Sequence, residues 1–180
     1  MSYTEPAQKF IHSVVTAKRA GDISKGIDQG LNALVNELNV DRAMVWQVCG
    51  DRLSVTNEAS LSGSKLNQSK FDSQESTHIV LSFLSRSPGG KPVVAWSLER
   101  NCGEIGWKPY LERFSEMSSH LVGEFRCDIF SGFFALQSAE AREWAAEDKK
   151  TVEGIAEFLS VLFVMNHEMQ KAQSAAKGNA

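Results

Sequence analysis

Cysteine is scarce in this chain: three occur in 180 residues, at positions 49, 102 and 127. An odd number at wide spacing is no disulfide framework and suits a reducing compartment. Basic charge is not in surplus either. The formal charge of -3 supplies no positive field of the kind that holds nucleic acid. The longest strongly apolar run, Leu159 to Met165 with Ser160 inside it, is far too short to span a bilayer. The opening Met1-Ser-Tyr-Thr-Glu-Pro6 lacks the basic and apolar regions of a signal peptide. No Gly-rich phosphate loop follows a strand, and no Gly-x-Ser-x-Gly nucleophile turn occurs. His12, His78, His120 and His167 are scattered, with no His or Cys pair at ligand spacing, so no metal site is expected. These absences point to a cytoplasmic protein without membrane or nucleic-acid partners.

What is present is an ordinary globular composition. Hydrophobic residues at 42% and charged residues at 23% exclude disorder throughout, and the length fits one domain with flanking segments. Pro6 to Ala20 reads as a helix with Phe10, Val14 and Ala17 on one face. Asp22 caps a second helix, whose stripe is Ile23, Ile27, Leu31, Leu34 and Leu38. Gly26 and Gly30, one turn apart, each cost about 1 kcal/mol relative to Ala unless close packing compensates. Ala43 to Cys49, a Gly50-Asp51 turn and Arg52 to Ala59 read as a hairpin. A serine-rich loop follows to Ser76, then a helix carrying Ile79, Val80, Phe83 and Leu84. Pro92 to Ser97 reads as a strand and Trp107 to Met117 as a helix. Leu121 to Ile129 and Phe133 to Gln137 are two further strands, and a closing helix of some two dozen residues begins near Glu147 and Asp148.

That last helix carries Val152, Ile155, Leu159, Leu162, Asn166 and Met169 at alternating spacings of three and four, a heptad seam. Phe158, Val161 and Met165 form a second stripe. So wide an apolar surface buries either two faces, one of them against a partner, or a single broad core face. Asn166 on the seam favours the first arrangement, since a polar residue there can fix the register of paired helices. Ile155, Leu159, Leu162 and Asn166 are therefore the expected dimer interface.

In order along the chain, Val40-Asp-Arg-Ala-Met-Val-Trp46, Gly90-Lys-Pro-Val-Val94, Ser119-His-Leu-Val-Gly-Glu-Phe125, Gly132-Phe-Phe-Ala-Leu136 and the trio Trp144, Glu147 and Asp148 follow a known plan. Over roughly Asp22 to Gln170 the chain resembles a GAF domain. Gly123-Glu124 departs from the Val-Pro usual at that edge of the family's pocket. The resemblance implies an α+β fold: a central antiparallel sheet with terminal helices packed on one face and a small-molecule pocket on the other. It divides the chain into an N-terminal helix (1–20), a GAF-like domain (22–170) and a connector tail (171–180). The tail is similar to the link into a histidine-kinase helix, so a C-terminal kinase or other output domain and a two-component system are expected. Homodimerisation through terminal helices is expected as well.

The resemblance also allows the family's chemistries to be set against residues here. Gly106-Trp107-Lys-Pro-Tyr110-Leu111 stands where many bilin-binding relatives have Cys-His before Tyr-Leu, so no thioether to a bilin is expected. Asn67, Lys70, Phe71, Asp72 and Glu75 include the residue types of a cyclic-nucleotide motif, compressed into a polar loop. Cys49, Cys102 and Cys127 would have to meet for a thiol-dependent enzyme of the free methionine sulfoxide reductase type, the alternative function. The remaining candidates are aromatic. Trp46, Phe83, Trp96, Trp107, Tyr110 and Phe114 come from elements that line the pocket in the family, and apolar pockets with few polar groups are the usual small-ligand sites. The same rings could instead fill the cavity and leave a purely structural dimerisation module. The expectation is a non-enzymatic sensory or relay domain whose ligand the sequence does not name.

Overall fold

The computed structural model describes residues 3–19, 21–49, 52–64, 93–97, 117–127 and 130–178. Their helices are α1 (Glu5–Arg19), α2 (Ile23–Leu38) and α3 (Ala146–Gly178). Their strands are β1 (Arg42–Cys49), β2 (Arg52–Ser60), β3 (Val93–Ser97), β4 (Ser119–Cys127) and β5 (Phe130–Ser138). Among the described residues these strands form one sheet in the order β2-β1-β5-β4-β3, and every neighbouring pair is antiparallel. The expected helix carrying Ile79–Leu84 and, apart from Met117, the expected helix Trp107–Met117 lie outside the described residues.

All three helices pack on one face of this sheet. Side chains alternate across a strand, so Ala43 and Val45 of β1, Leu121 and Phe125 of β4, and Phe134 and Leu136 of β5 point to that side. With Phe10, Val14, Ile27, Leu31, Leu34, Val152, Ile155 and Leu159 they make a single apolar core. The two helical glycines are explained by proximity. A Cβ on Gly26 would lie 2.6 Å from the Ala17 Cβ, and one on Gly30 would lie 2.5 Å from the Phe10 ring. Close approach of α1 to α2 offsets the helix-propensity cost of both residues. Asp22 caps α2 as its sequence implies, with Oδ1 accepting from the Lys25 N–H at 3.0 Å. Asn39 ends the helix in the left-handed region at φ 49°. On the other flank, Asn57 of β2 donates to Asp28 Oδ1 at 2.8 Å and to the Ser24 carbonyl at 3.2 Å, tying the edge strand to α2.

The closing helix corrects two expectations. Ile155, Leu159 and Leu162 are 0%, 0% and 4% exposed and belong to the chain's own core, so they are not a surface awaiting a partner. The reason is the absent side chain at Gly123 of β4. A Cβ there would come within 2.7 Å of Val152 Cγ1 and 3.2 Å of the Ala156 Cβ, so only glycine lets α3 settle this closely on the sheet. Asn166 is half-buried at the end of that seam, while Val161, Met165 and Met169 are 55%, 49% and 48% exposed. The helix is also longer than its apolar pattern suggests. Its 33 residues span about 50 Å, and the expected connector tail continues it without a break to Gly178.

Leu159→Ala should therefore lower the unfolding free energy by about 2–5 kcal/mol, as deletion of a buried side chain does. Met165→Ala should change it by less than about 0.5 kcal/mol. Urea denaturation of both variants checks the placement of α3, and equal effects would refute it.

Candidate functional site

The sheet's second face, away from the helices, carries the other half of each strand's alternation. Directly opposed residues of neighbouring strands share a face, so the register groups them into rungs. One rung joins Trp46 of β1 to Phe133 of β5. Both are buried, and their rings stack at 5.4 Å and 19°. The next rung is apolar and slimmer, with Met44 opposite Ala135 and Ala135 opposite Val122. The third is polar: Ser60, Arg42, Gln137, His120 and Trp96 are paired in succession across all five strands.

This polar rung is buried, with Arg42 at 2%, Gln137 at 0% and His120 at 1% exposure. Its hydrogen bonds fix one another's orientation. The Met117 carbonyl can only accept, so the His120 nitrogen 3.2 Å from it, Nε2, carries the proton. In a neutral ring Nδ1 is then an acceptor, and it takes the Gln137 side-chain N–H at 3.1 Å. That leaves Gln137 Oε1 facing away, without a hydrogen-bond partner. Burial keeps the ring neutral: desolvation pushes the His120 pKa down to about 4, against a smaller opposing effect from the Met117 carbonyl. Arg42 Nε pairs with Glu58 Oε1 at 3.1 Å, and Nη2 reaches Ser64 Oγ at 3.5 Å. Neither Nη1 nor Nε has a hydrogen-bond partner, so the Nε–Glu58 contact is an ion pair without hydrogen-bond geometry.

One residue along each strand, the chain points back to the helix side, and there a second polar group gathers. Ser119, next to His120, accepts the Arg142 backbone N–H on Oγ at 2.7 Å. The Arg142 guanidinium donates from Nη1 to the Leu38 and Asn39 carbonyls at 2.9 and 3.1 Å, which closes the end of α2. It also lies 4.8 Å over the Trp144 ring and 3.4 Å from Asp148 Oδ2. The same Asp148 oxygen accepts the Ala145 N–H at 3.0 Å where α3 begins. Asp41, next to Arg42, accepts the Ala139 N–H at 2.8 Å, and its own N–H donates to the Gln137 carbonyl at 3.0 Å. The buried rung and the clasp on the helix ends are thus adjacent residues of the same three strand ends.

Of the aromatic residues singled out in the sequence, Trp46 stands buried on the second face. Strand β3 brings Trp96 into register with His120. Phe83, Trp107, Tyr110 and Phe114 lie outside the described residues, as does Cys102. Trp144 belongs instead to the helix-side core. Arg42, Gln137 and His120 do not stand out as a group in the sequence, because a register across several strands cannot be read from spacing along the chain. The alternation in His120-Leu-Val122 does carry part of the signal, since it sets His120 on the face opposite Leu121. Among the described residues no group of three or more His, Cys, Asp or Glu could hold a metal ion. Among them, too, no helix is long and apolar enough to cross a membrane.

No family model and no curated protein matches this sequence. Solved structures do match the fold. The phycoerythrobilin-bound GAF domain of a cyanobacterial phytochrome superposes with a TM-score of 0.68 at 12% identity, over 92% of this chain and 98% of that one. The phycocyanobilin-bound GAF domain of a cyanobacterial phytochrome gives 0.64 at 13% identity, over 94% and 98%. A GAF domain assigned to a sensor histidine kinase of Pseudomonas syringae pv. tomato gives 0.55 at 13% identity, over 93% of each chain.

The burial of His120 carries a pH signature. Its pKa falls from 6.5 to about 4 on folding, so the unfolded chain binds the extra proton first as pH drops. The stability that neutral His120 contributes is whole above about pH 6.5 and lost as pH falls through about 4, some 3 kcal/mol in all. Urea denaturation at pH 7 and pH 4 should show a gap smaller by about that amount in His120→Gln. The same gap in both proteins would contradict the assignment.

Proposed function

Starting from a chain with the fold of a GAF domain, we propose that it is a sensory and relay domain of a signalling protein, binding a small molecule on the second face of its sheet. The observation that carries this reading is the buried polar rung, where three polar atoms, Arg42 Nε, Arg42 Nη1 and Gln137 Oε1, lack hydrogen-bond partners. It shares a face with the Trp46–Phe133 stack and is built from the strand ends that hold the first turn of α3. Flat apolar walls with a few placed polar groups suit a small heterocyclic ligand. The fold neighbours support the reading, since two of them are bilin-bound. A covalent bilin is not expected here, because Gly106 and Trp107 occupy the places of the thiol and imidazole.

The relay would be a shift between two packings of the clasp. A ligand that repositions Gln137 or His120 moves Ser138 and Ser119 with them, and so changes how Arg142 and Asp148 hold the start of α3. The far end of that helix is exposed from Glu168 to Ala175, which suits a connection to an output domain such as a kinase. Dimerisation through terminal helices belongs to the same proposal. Its surface is the exposed Val161, Met165 and Met169 on α3 with Val15 of α1, and not the buried seam.

A metabolite screen read by tryptophan fluorescence tests the ligand half. A binder is expected whose signal is lost in Trp46→Phe and kept in Trp144→Phe. A signal lost only with Trp144 would move the site to the helix side. Sedimentation tests the dimer half. The native chain should be a dimer at high micromolar concentration, and Met165→Lys should release folded monomer. A native monomer at that concentration would end the proposal.

A further inference from the structure

The start of α1 is held against α3 by contacts that belong neither to the sheet nor to the Arg142 clasp. Thr151 is fully buried, and its Oγ1 donates to the Glu147 carbonyl at 2.9 Å. A hydroxyl has one proton, so in the 2.6 Å bond between Thr4 and Thr151 the donor is Thr4. One residue earlier, the half-buried Tyr3 lies over Gly154. A Cβ on that glycine would come within 2.7 Å of Tyr3 Cδ1 and 3.9 Å of the Ala7 Cβ. The Tyr3 carbonyl is tied back to α1 by the Gln8 side-chain N–H at 2.9 Å. Further on, the Phe10 and Phe158 rings meet edge to face at 6.4 Å. Thr4 against Thr151, Ala7 against Gly154 and Phe10 against Phe158 advance together, so α1 and α3 run parallel. Tyr3 and Thr4 therefore sit at the head of α3.

Two features make this contact releasable. Ala7, Phe10 and Val14 are fully buried and anchor α1, so Tyr3 and Thr4 can lift while the rest of the helix stays. Their departure leaves no buried donor unbonded, since the Thr4 hydroxyl turns to water and Thr151 keeps its bond to Glu147. Two more features make release matter. Glycine is the least favourable helix residue after proline, and with Tyr3 gone the backbone of Gly154 faces water. Asp148, which the clasp holds, lies within one turn of Thr151. Clasp and N-terminal contact thus grip the same first turns of α3.

We propose that Tyr3 and Thr4 form a strap that switches the head of α3 between two states. Docked, it covers Gly154 and keeps the turns before it in the helix. Lifted, it lets those turns fray as far as Gly154, and the Arg142–Asp148 contact opens. The strap acts on α3 without a ligand on the sheet and without a dimer, so it stands or falls apart from the function proposed above. Backbone hydrogen exchange of the full chain at pH 7 tests it. The reporters are the amides of residues 150–154, which bond within the head; those of residues 159–163 and of β1 serve as references. Tyr3→Ala should speed exchange in the head roughly tenfold, with the references unchanged. Thr4→Val should speed it roughly two- to tenfold, whereas Thr4→Ser keeps the hydroxyl and should exchange as the native chain does. The indole N–H resonance of Trp144, beneath the Arg142 guanidinium, should shift in Tyr3→Ala. In Gly154→Ala the added methyl takes the seat of the ring and strengthens the helix, so there Tyr3→Ala should change head exchange by less than about twofold. Head amides indifferent to both Tyr3→Ala and Thr4→Val, or an equal rise in head and references, would overturn the proposal. So would a Tyr3→Ala effect that survives in full in Gly154→Ala, or an indole resonance that stays in place while the head loosens.

Discussion

The guanidinium of Arg142 is the point on which the arrangement of helices and sheet depends. A helix end leaves carbonyls without partners, and at the end of α2 these include those of the half-buried Leu38 and the exposed Asn39. Arg142 supplies donors to the Leu38 and Asn39 carbonyls, covers the face of Trp144 and meets Asp148 at the head of α3. Its backbone N–H is held by Ser119 of β4. One side chain and its peptide therefore tie the last turn of α2, the first residue of β4 and the first turn of α3. Lysine could not replace it, since a single ammonium lacks the fork that reaches several acceptors at once.

The consequence for function comes from the pleat of a strand. Consecutive residues point to opposite faces, so a residue that anchors the helices has a neighbour on the second face. Ser119 is followed by His120, Asp41 by Arg42, and Gln137 by Ser138. The side chains on the second face form a row whose orientations depend on one another from the Met117 carbonyl to Gln137. Buried polar rows of this kind tolerate few alternative arrangements, because each one leaves a group unbonded in a low dielectric. Under the proposed function, that stiffness is what makes the row a usable sensor. A small change at Gln137 cannot be absorbed locally and must appear in the backbone that carries Ser138 and Asp41.

Much of the fold was legible in the sequence because it is written in periodicities. The stripes of α1 and α2, the β1–β2 hairpin and the paired β4 and β5 strands all occur within three residues of where their patterns place them. What periodicity cannot supply is the identity of the neighbour. The heptad seam of α3 showed that Ile155, Leu159 and Leu162 are buried, but a seam looks alike whether it meets a second helix or the sheet beneath it. Gly123 decides the matter, and its role depends on a contact between residues about thirty positions apart. The polar rung was illegible for a related reason. Arg42, His120 and Gln137 come from three strands, and their alignment rests on the register of β1 with β5 and of β4 with β5. Arg142 lies in a short polar loop with no pattern that sets it apart. Trp46 was visible as a large ring on a strand, and its stacking partner Phe133 was not.

On this account the second-face row and the Arg142 clasp form a single energetic unit, although their side chains lie on opposite faces. A double-mutant cycle on unfolding free energy tests it, with Gln137→Leu on the row and Arg142→Lys on the clasp. The two substitutions should be non-additive by about 0.5–3 kcal/mol, as for residues that share a network. Effects that add to within about 0.3 kcal/mol would show two independent sites and contradict the account.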